Sequence, residues 1–241
     1  MRLPFFLFSE TLWVRQTYLW VRPPSEVYAG TAGLHRYNGT SSVYHHNLKN
    51  ALIEAEIYIG QAKDELSILG QTTLFNTDYF YGGKIHYVTD DLTISASIAD
   101  TKLHASIPAL NYAVITPALL HALGFQFLQN NWGVMWEYSS LDLDSLGSSE
   151  GAYLSLHYII DQWSPFILLG KSSTDSTWAV SRYTGESVTI GCRYSVSDSV
   201  SLKAQVLNGE LMDIIAILNV PPTAGFDDEV TVVSMTLDFV F

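Results

Sequence analysis

The chain has 241 residues, of which 48% are hydrophobic, 13% aromatic and 15% charged, and its formal net charge is −12. This acidic balance argues against a nucleic-acid binder, because a surface that follows phosphates needs a basic stripe. The single cysteine, Cys192, excludes an internal disulfide and a thiolate metal cage, and no run of eighteen apolar residues predicts a membrane-spanning helix.

Alternation of apolar and polar residues predicts about twelve β-strands along the chain. The final strand illustrates the pattern, since Met235, Leu237, Phe239 and Phe241 share one face while Ser234 lies on the other. In chain order the predicted strands lie near residues 11–22, 40–48, 51–60, 78–88, 92–102, 119–129, 131–140, 152–161, 163–172, 186–195, 199–208 and 230–241.

The connections between these strands alternate between long and short. Short ones include "TDD", "NN" and "DQ", whereas long ones include "QAKDELSILGQTTLFNT" and "TKLHASIPALNYAVITPA". This rhythm is typical of an up-and-down sheet that has loops at one rim and tight turns at the other. A Greek-key sandwich places its crossovers irregularly. The prediction is therefore an all-β, antiparallel up-and-down barrel that forms a single domain over residues 1–241.

Aromatic residues gather beside the short turns, as they do at the interface of a membrane barrel. A closed barrel is also the only all-β structure that crosses hydrocarbon with its backbone groups paired. The apolar strand faces are thus expected to meet lipid, around a watery interior. The predicted membrane girdle consists of Tyr87, Trp132, Tyr158, Trp163, Tyr194 and Phe241.

Charged residues on the opposite strand faces are the candidates for lining a pore, where their arrangement would set the field that a solute crosses. The alternative is that they are simply hydrated in a wide lumen, without selectivity of their own. The long connection around residues 103–118 is expected to fold inward and narrow the channel. The predicted pore-lining residues are Glu54, Glu56, Lys84, His86, Glu137, Arg193, Lys203 and Asp238.

Other chemistries find weaker support. His45 and His46 are adjacent in a strand and point to opposite faces, so they do not chelate one ion together. The loop "DLDSLGSSEG" lacks the bidentate glutamate of a calcium loop. Ser155 and His157 share a strand face, but no third group in the sequence orients the base. We therefore predict no catalytic residues, no metal site, no cofactor and no enzymatic activity.

The stretch "RLPFFLFSETLWVRQTYLWVRPPSEVYAG", followed by "HRYNGTSSVYHHNL", resembles an internal part of Gram-negative outer-membrane porin-like proteins. The matching residues are Leu3, Pro4, Ser9, Glu10, Trp20, Val21, Arg22, Pro23, Pro24, Glu26, Tyr28, Tyr37 and Gly39. The terminal Phe241 also resembles the signal by which such proteins are recognised for assembly. The resemblance implies the C-terminal portion of a longer porin in the bacterial outer membrane.

For function, the resemblance implies passive diffusion of small hydrophilic solutes or ions. It implies outer-membrane lipid as a partner, the barrel-assembly machinery as a partner of the C-terminal strand, and compatibility with a homo-oligomer. Two alternatives stay open at this point: a non-conducting membrane barrel that serves as an anchor or adhesin, and a soluble all-β binding module.

Overall fold

The computed structural model describes residues 4–7, 18–28, 37–68, 71–107, 112–176, 181–210 and 229–240. Within these ranges the chain forms one short helix, α1 Ser25–Tyr28, one 3-10 turn at Asp144–Leu146, and eleven strands. The strands are β1 Tyr37–Asn47, β2 Leu52–Ile68, β3 Gln71–Val88, β4 Leu92–Ile107, β5 Tyr112–Gln129, β6 Trp132–Asp142, β7 Gly147–Tyr158, β8 Trp163–Ser176, β9 Ser181–Ser197, β10 Val200–Glu210 and β11 Glu229–Phe239.

All eleven strands belong to one sheet, and each is hydrogen-bonded to its neighbours in chain order from β1 to β11. Every pairing is antiparallel. The predicted up-and-down antiparallel architecture is therefore confirmed. No pairing joins β1 to β11 within the described ranges, so the sheet is not closed there.

The strands are longer than predicted at the rim opposite the tight turns. Residues 103–107 belong to β4 and residues 112–118 to β5, so most of the segment expected to fold inward is paired in the sheet, and residues 108–111 lie outside the described part. That part of the prediction was wrong. A ladder pairs backbone groups whatever the side chains are, so the strand pairing continues through these residues.

The predicted first strand, residues 11–22, is also wrong where the structure describes it. Residues 18–22 form bends, two prolines follow, and α1 begins at Ser25. Proline has no amide hydrogen to give to a ladder. Residues 11–17 lie outside the described part of the chain.

Residues 4–7 and 18–28, which we call the inner segment, pack against one side of the sheet. Phe5, Trp20 and Val27 in this segment are almost completely buried. We call the side of the sheet that they cover the inner face and the opposite side the outer face. Side chains from β3 to β10 contact the segment, so the buried core lies between the inner face and the inner segment.

The outer face is apolar and exposed. On β11 its side chains are Val233, Met235, Leu237 and Phe239, which are between 58% and 76% exposed. On β8 it carries Trp163, Pro165, Ile167 and Leu169 before Lys171. Four outward residues occupy about 20 Å of strand.

This outer apolar band ends at the long-connection side in a row of charged residues. A single sheet with an uncovered apolar face is the opposite of a sandwich, in which that face packs on a second sheet. No helix in the described ranges is long and apolar enough to cross a bilayer. The outward charges next to the band include Asp100, Glu150, Lys171, Glu186 and Glu229.

Candidate functional site

All eight residues predicted to line a pore lie on the inner face of the sheet. Glu54 and Glu56 share a face of β2 with the buried Tyr58, whereas Ile57 and Ile59 between them point outward. The cross-strand pairs then carry the same face around the sheet, through Lys84 and His86 on β3, Glu137 on β6, Arg193 on β9, Lys203 on β10 and Asp238 on β11. Their role in a pore remains a prediction.

The inner face of β2 and β3 places opposite charges side by side. Glu56 lies directly across from Lys84, and Glu54 across from His86. Residues opposite each other in an antiparallel pair have Cβ atoms about 5 Å apart, close enough to interact. Glu54 also bonds His45 on β1, with 2.7 Å between His45 Nε2 and Glu54 Oε2. With histidine counted as neutral, two carboxylates face one ammonium group, so this part of the inner face is acidic.

Glu137 is the main polar anchor of the inner segment. Its carboxylate is fully buried and accepts hydrogen bonds from the Leu7 amide at 2.7 Å, the Tyr28 hydroxyl at 2.5 Å and the Tyr153 hydroxyl at 3.2 Å. A buried carboxylate is costly unless its oxygens are hydrogen-bonded. Glu137 therefore ties residues at both ends of the inner segment to β6.

Neutral and basic side chains of the sheet bind the backbone of the inner segment. Lys84 Nζ donates to the Phe6 carbonyl at 2.6 Å, and the Ser97 hydroxyl donates to the Phe5 carbonyl at 2.5 Å. Ser139 Oγ donates to the Val27 carbonyl at 3.0 Å, and the Val21 amide donates to Gln205 Oε1 at 2.8 Å. These bonds replace the ladder that the segment does not join. The hydrogen bonds that hold the backbone of the segment thus come from four strands, β3, β4, β6 and β10.

Two glycines make room for α1. A side chain at Gly151 on β7 would overlap the Glu26 carbonyl oxygen, and one at Gly170 on β8 would lie 2.5 Å from the Glu26 carboxyl carbon. The contact at Gly151 is with backbone, so glycine is needed there for the helix to approach the sheet, whereas the contact at Gly170 is with the end of the flexible Glu26 side chain. The Ser187 hydroxyl on β9 in turn donates to the Glu26 carboxylate.

On β9 to β11 the inner face is basic. Arg193 lies directly across from Lys203, and Lys203 Nζ lies 3.0 Å from Asp238 Oδ2. The same ammonium group lies 3.4 Å from the Trp20 carbonyl oxygen and 4.5 Å from the centre of the Tyr18 ring. Two cations and one carboxylate therefore share this part of the inner face.

The described members of the predicted girdle lie on the outer face, beside the short turns. Trp132 and Tyr158 are paired across β6 and β7 with ring centres 4.6 Å apart, and Trp163 and Tyr194 are paired across β8 and β9 at 4.5 Å. Tyr87 ends β3 on the same face. Phe241 lies outside the described residues. Contact with a membrane interface remains a prediction for all six.

Sequence reasoning missed a second aromatic pair at the opposite end of the apolar band. Tyr79 and Tyr81 stack on the outer face of β3 with ring centres 5.6 Å apart. Beyond them, Asp78 lies 2.9 Å from His104 and 3.6 Å from Lys102. The alternation of Tyr79, Tyr81, Ile85 and Tyr87 around the band is the signal that would have revealed this second aromatic level.

Sequence reasoning also missed the inner segment and the residues that hold it, namely Ser97, Ser139, Tyr153 and Gln205. A signal was present, because Leu19, Trp20 and Val21 are consecutive apolar residues and do not alternate. Such a run fits burial on all sides better than a strand with one wet face.

The structure also locates the histidine pair and the serine–histidine pair that the sequence offered as weaker candidates for metal binding and catalysis. His45 bonds Glu54 on the inner face, whereas His46 stacks on Tyr44 on the outer face. Ser155 and His157 both lie on the inner face, and Ser155 Oγ and His157 Nδ1 have no hydrogen-bond partner in the described ranges. No group of three or more potential metal ligands occurs among the residues that the structure describes.

No protein-family model and no curated protein sequence matches the chain. Solved structures do resemble it. The outer membrane channel DcaP of Acinetobacter baumannii aligns with a TM-score of 0.50 and 12% identity, over 72% of this chain and 56% of DcaP.

Two further solved structures align less closely. OmpT, an outer membrane protein of Vibrio cholerae, aligns with a TM-score of 0.44 and 7% identity, over 75% of this chain and 80% of OmpT. The Pseudomonas putida toluene transporter TodX aligns with a TM-score of 0.40 and 14% identity, over 84% of this chain and 73% of TodX. At these identities the likeness to DcaP establishes the fold alone, and the alignment spans little more than half the length of DcaP. The chain has the fold of an antiparallel β-barrel of the Gram-negative outer membrane.

Proposed function

We propose that the protein is a passive channel of the bacterial outer membrane, through which small hydrophilic solutes or ions diffuse without energy coupling. The observation that carries this proposal is the sorting of side chains on one sheet. An apolar band covers the outer face, and charged and hydroxyl-bearing residues lie on the inner face among the apolar side chains that form the buried core. A water-filled membrane barrel has this arrangement.

The inner segment narrows the interior in this proposal, in the place first assigned to residues 103–118. Phe5, Phe6 and Trp20 occupy space above the inner face, and Lys84, Glu137 and Gln205 hold the backbone next to them. Solutes would pass beside this segment, so its size sets an upper limit on the solutes that diffuse through.

The eight inner-face charges give the passage its field. Glu54 and Glu56 outnumber Lys84 on β2 and β3, whereas Arg193 and Lys203 outnumber Asp238 on β9 to β11. A solute in a low-dielectric, narrow passage responds to such local groups more than to the overall charge of the protein. Local charges therefore decide which ions pass easily.

Outer-membrane lipid is the proposed partner of the apolar band, with the girdle residues at its interface. The C-terminal strand β11, which carries four outward apolar residues, is the proposed contact for the barrel-assembly machinery. Among the described strands none pairs with the outer edge of β1 or of β11, and hydrocarbon does not satisfy unpaired backbone groups. The proposed channel therefore requires strand partners for both edges in the membrane.

Planar-bilayer recording and liposome swelling test the proposal together. The purified protein should produce stepwise current increases, and vesicles that contain it should swell faster in small sugars than in a trisaccharide. Heat-denatured protein is the matched control. Absence of both steps and swelling would overturn the channel proposal.

One observation favours a second candidate, a non-conducting barrel that acts as an anchor or adhesin. The inner segment covers the inner face at residues of β3 to β10, and such cover can block a passage. A variant that lacks residues 1–28 separates the two candidates. Conduction only after this deletion would favour the non-conducting barrel, whereas conduction by the intact protein favours the channel.

A further inference from the structure

Arg193 and Lys203 form an unusual pair on the inner face. They lie directly opposite each other on β9 and β10, in one cross-strand row that also contains Ser164 on β8. Like charges directly opposite in an antiparallel pair repel and destabilise the sheet. The pair therefore needs negative charge nearby to offset the repulsion.

The available carboxylate is committed to Lys203. Asp238 Oδ2 lies 3.0 Å from Lys203 Nζ, and Asp238 Oδ1 accepts a hydrogen bond from Thr236 at 3.1 Å. Lys203 is completely buried, and its ammonium group also contacts the Trp20 carbonyl and the Tyr18 ring. This lysine is thus part of the surface on which the inner segment packs.

Arg193 has no such partner. Within the described ranges no carboxylate oxygen lies within 4.0 Å of its guanidinium group, and its Nε has no hydrogen-bond partner. The side chain is only partly buried, so part of it is accessible to a solute, although its Nε atom is buried. Asp238 attracts Arg193 only from beyond this distance and is already paired with Lys203, so the three groups together carry one surplus positive charge.

Hydroxyl groups surround the arginine. Ser164 lies directly across from it, and Ser201 is its diagonal neighbour on β10. Ser201 is completely buried, and its Oγ has no hydrogen-bond partner among the described side and main chains. A buried hydroxyl without a partner costs free energy unless a ligand supplies one.

We propose that Arg193, together with Ser164 and Ser201, forms a binding site for a small oxyanion, a carboxylate or a phosphate, inside the barrel. The planar guanidinium donates two parallel hydrogen bonds to such a group, and the serine hydroxyls complete its coordination. Lys203 adds positive field without direct contact. This inference rests on the proposed channel function and names a solute class for it.

Binding of radiolabelled inorganic phosphate to the purified protein, measured by equilibrium dialysis in detergent, tests the site without any need for conduction. We expect Arg193→Gln to weaken phosphate binding about tenfold or more, the usual loss for a hydrogen bond to a charged group. Arg193→Lys keeps the charge but not the paired donors, and it should give an intermediate affinity. The control is Lys171→Gln, which removes an exposed outer-face cation paired with Glu186 and should bind phosphate normally.

The two proposals fail separately in this design. If the protein binds phosphate through Arg193 but gives no current steps, the proposed binding site stands and the proposed channel function is overturned. If the protein conducts but its Arg193→Gln variant binds phosphate as well as the wild type, the proposed channel function stands and the proposed binding site is overturned. Absence of binding by the wild type also overturns the site. Unchanged heat-dependent gel mobility shows that each variant is folded.

Discussion

The Tyr28 hydroxyl donates a hydrogen bond of 2.5 Å to Glu137, so the end of the short helix α1 is fixed to the middle of the sheet. The other carboxylate oxygen of Glu137 accepts from the Leu7 amide at 2.7 Å. Phe6 and Tyr28 meet with ring centres 4.8 Å apart, which brings the two described parts of the inner segment together. One carboxylate of β6 therefore determines where both parts of the segment lie.

Replacement of this carboxylate should loosen the segment. Glu137→Gln retains the shape of the side chain, but its amide nitrogen cannot accept a hydrogen bond, so at least one of the three bonds to this group is lost. We expect the amide hydrogen of Leu7 to exchange about tenfold faster, in line with a loss of 1–3 kcal/mol. Hydrogen exchange followed by mass spectrometry of the N-terminal peptides measures this change.

Two comparisons make the Glu137 result specific. Glu150→Gln removes an exposed outer-face carboxylate that accepts from Tyr138 at 3.1 Å, and it should leave exchange at Leu7 unchanged. The Val21 amide, which donates to Gln205, should change less than the Leu7 amide. Equal exchange at Leu7 in wild type and Glu137→Gln would show that the carboxylate does not hold the segment.

A methyl group at Gly151 should displace α1 from the sheet. In Gly151→Ala the new Cβ would overlap the Glu26 carbonyl, and backbone has to move to relieve the contact. Overpacking of this kind costs about 1–3 kcal/mol. Equilibrium unfolding in lipid vesicles should show this loss in the free energy of unfolding.

The matched glycine is Gly83, where a Cβ would lie 3.4 Å from its nearest neighbour, the Glu56 carbonyl oxygen. Gly83→Ala should therefore leave the free energy of unfolding almost unchanged. If both variants unfold like the wild type, α1 does not occupy the position between Gly151 and Gly170.

On the outer face, a charged substitution should lower the free energy of unfolding only within the apolar band. Ile190 lies in the band and is 60% exposed, whereas Thr184 lies on the same face of β9 beyond the charged row. Arginine at a lipid-facing midplane position costs about 2–4 kcal/mol, and the cost falls near zero at the interface. Ile190→Arg should lower the free energy of unfolding in vesicles by that amount, and Thr184→Arg should not.

A soluble protein would respond differently to these two variants. An arginine at a position exposed to water changes the free energy of unfolding very little. Equal stability of Ile190→Arg and Thr184→Arg would therefore contradict the contact of the outer face with lipid.

Period-two alternation predicted much of this structure because it is a local property. The face of Lys203 or Ile190 depends only on its position within its own strand, so sequence alone showed that the eight candidate charges share one face and that the five described girdle residues share the other. The order of the strands followed from the rhythm of the connections. The lengths of β4 and β5 did not, because the pairing of backbone groups does not depend on the side-chain pattern.

The inner segment was beyond sequence reasoning for a different reason. Its place is set by distant partners, such as the pairs Leu7–Glu137 and Val21–Gln205, and no local pattern encodes them. The surplus of cations at Arg193 likewise depends on the register between β9 and β10. Alternation identifies inward residues, but only the register shows which of them are neighbours.

The tryptophans beside the short turns should report the depth of the membrane interface. Trp132 and Trp163 are 62% and 52% exposed on the outer face, and each packs against a tyrosine of the neighbouring strand. In variants whose only tryptophan is Trp132 or Trp163, the tryptophan fluorescence should be quenched most by lipids brominated near the headgroup, since aromatic girdles lie at that level. A tryptophan introduced as Ile190→Trp in a background without the others should respond most to bromine deep in the acyl chain. If all three positions are quenched most by the same deep lipid, or by none, the aromatic rim is not an interfacial girdle and the assignment of the short turns to one membrane surface fails.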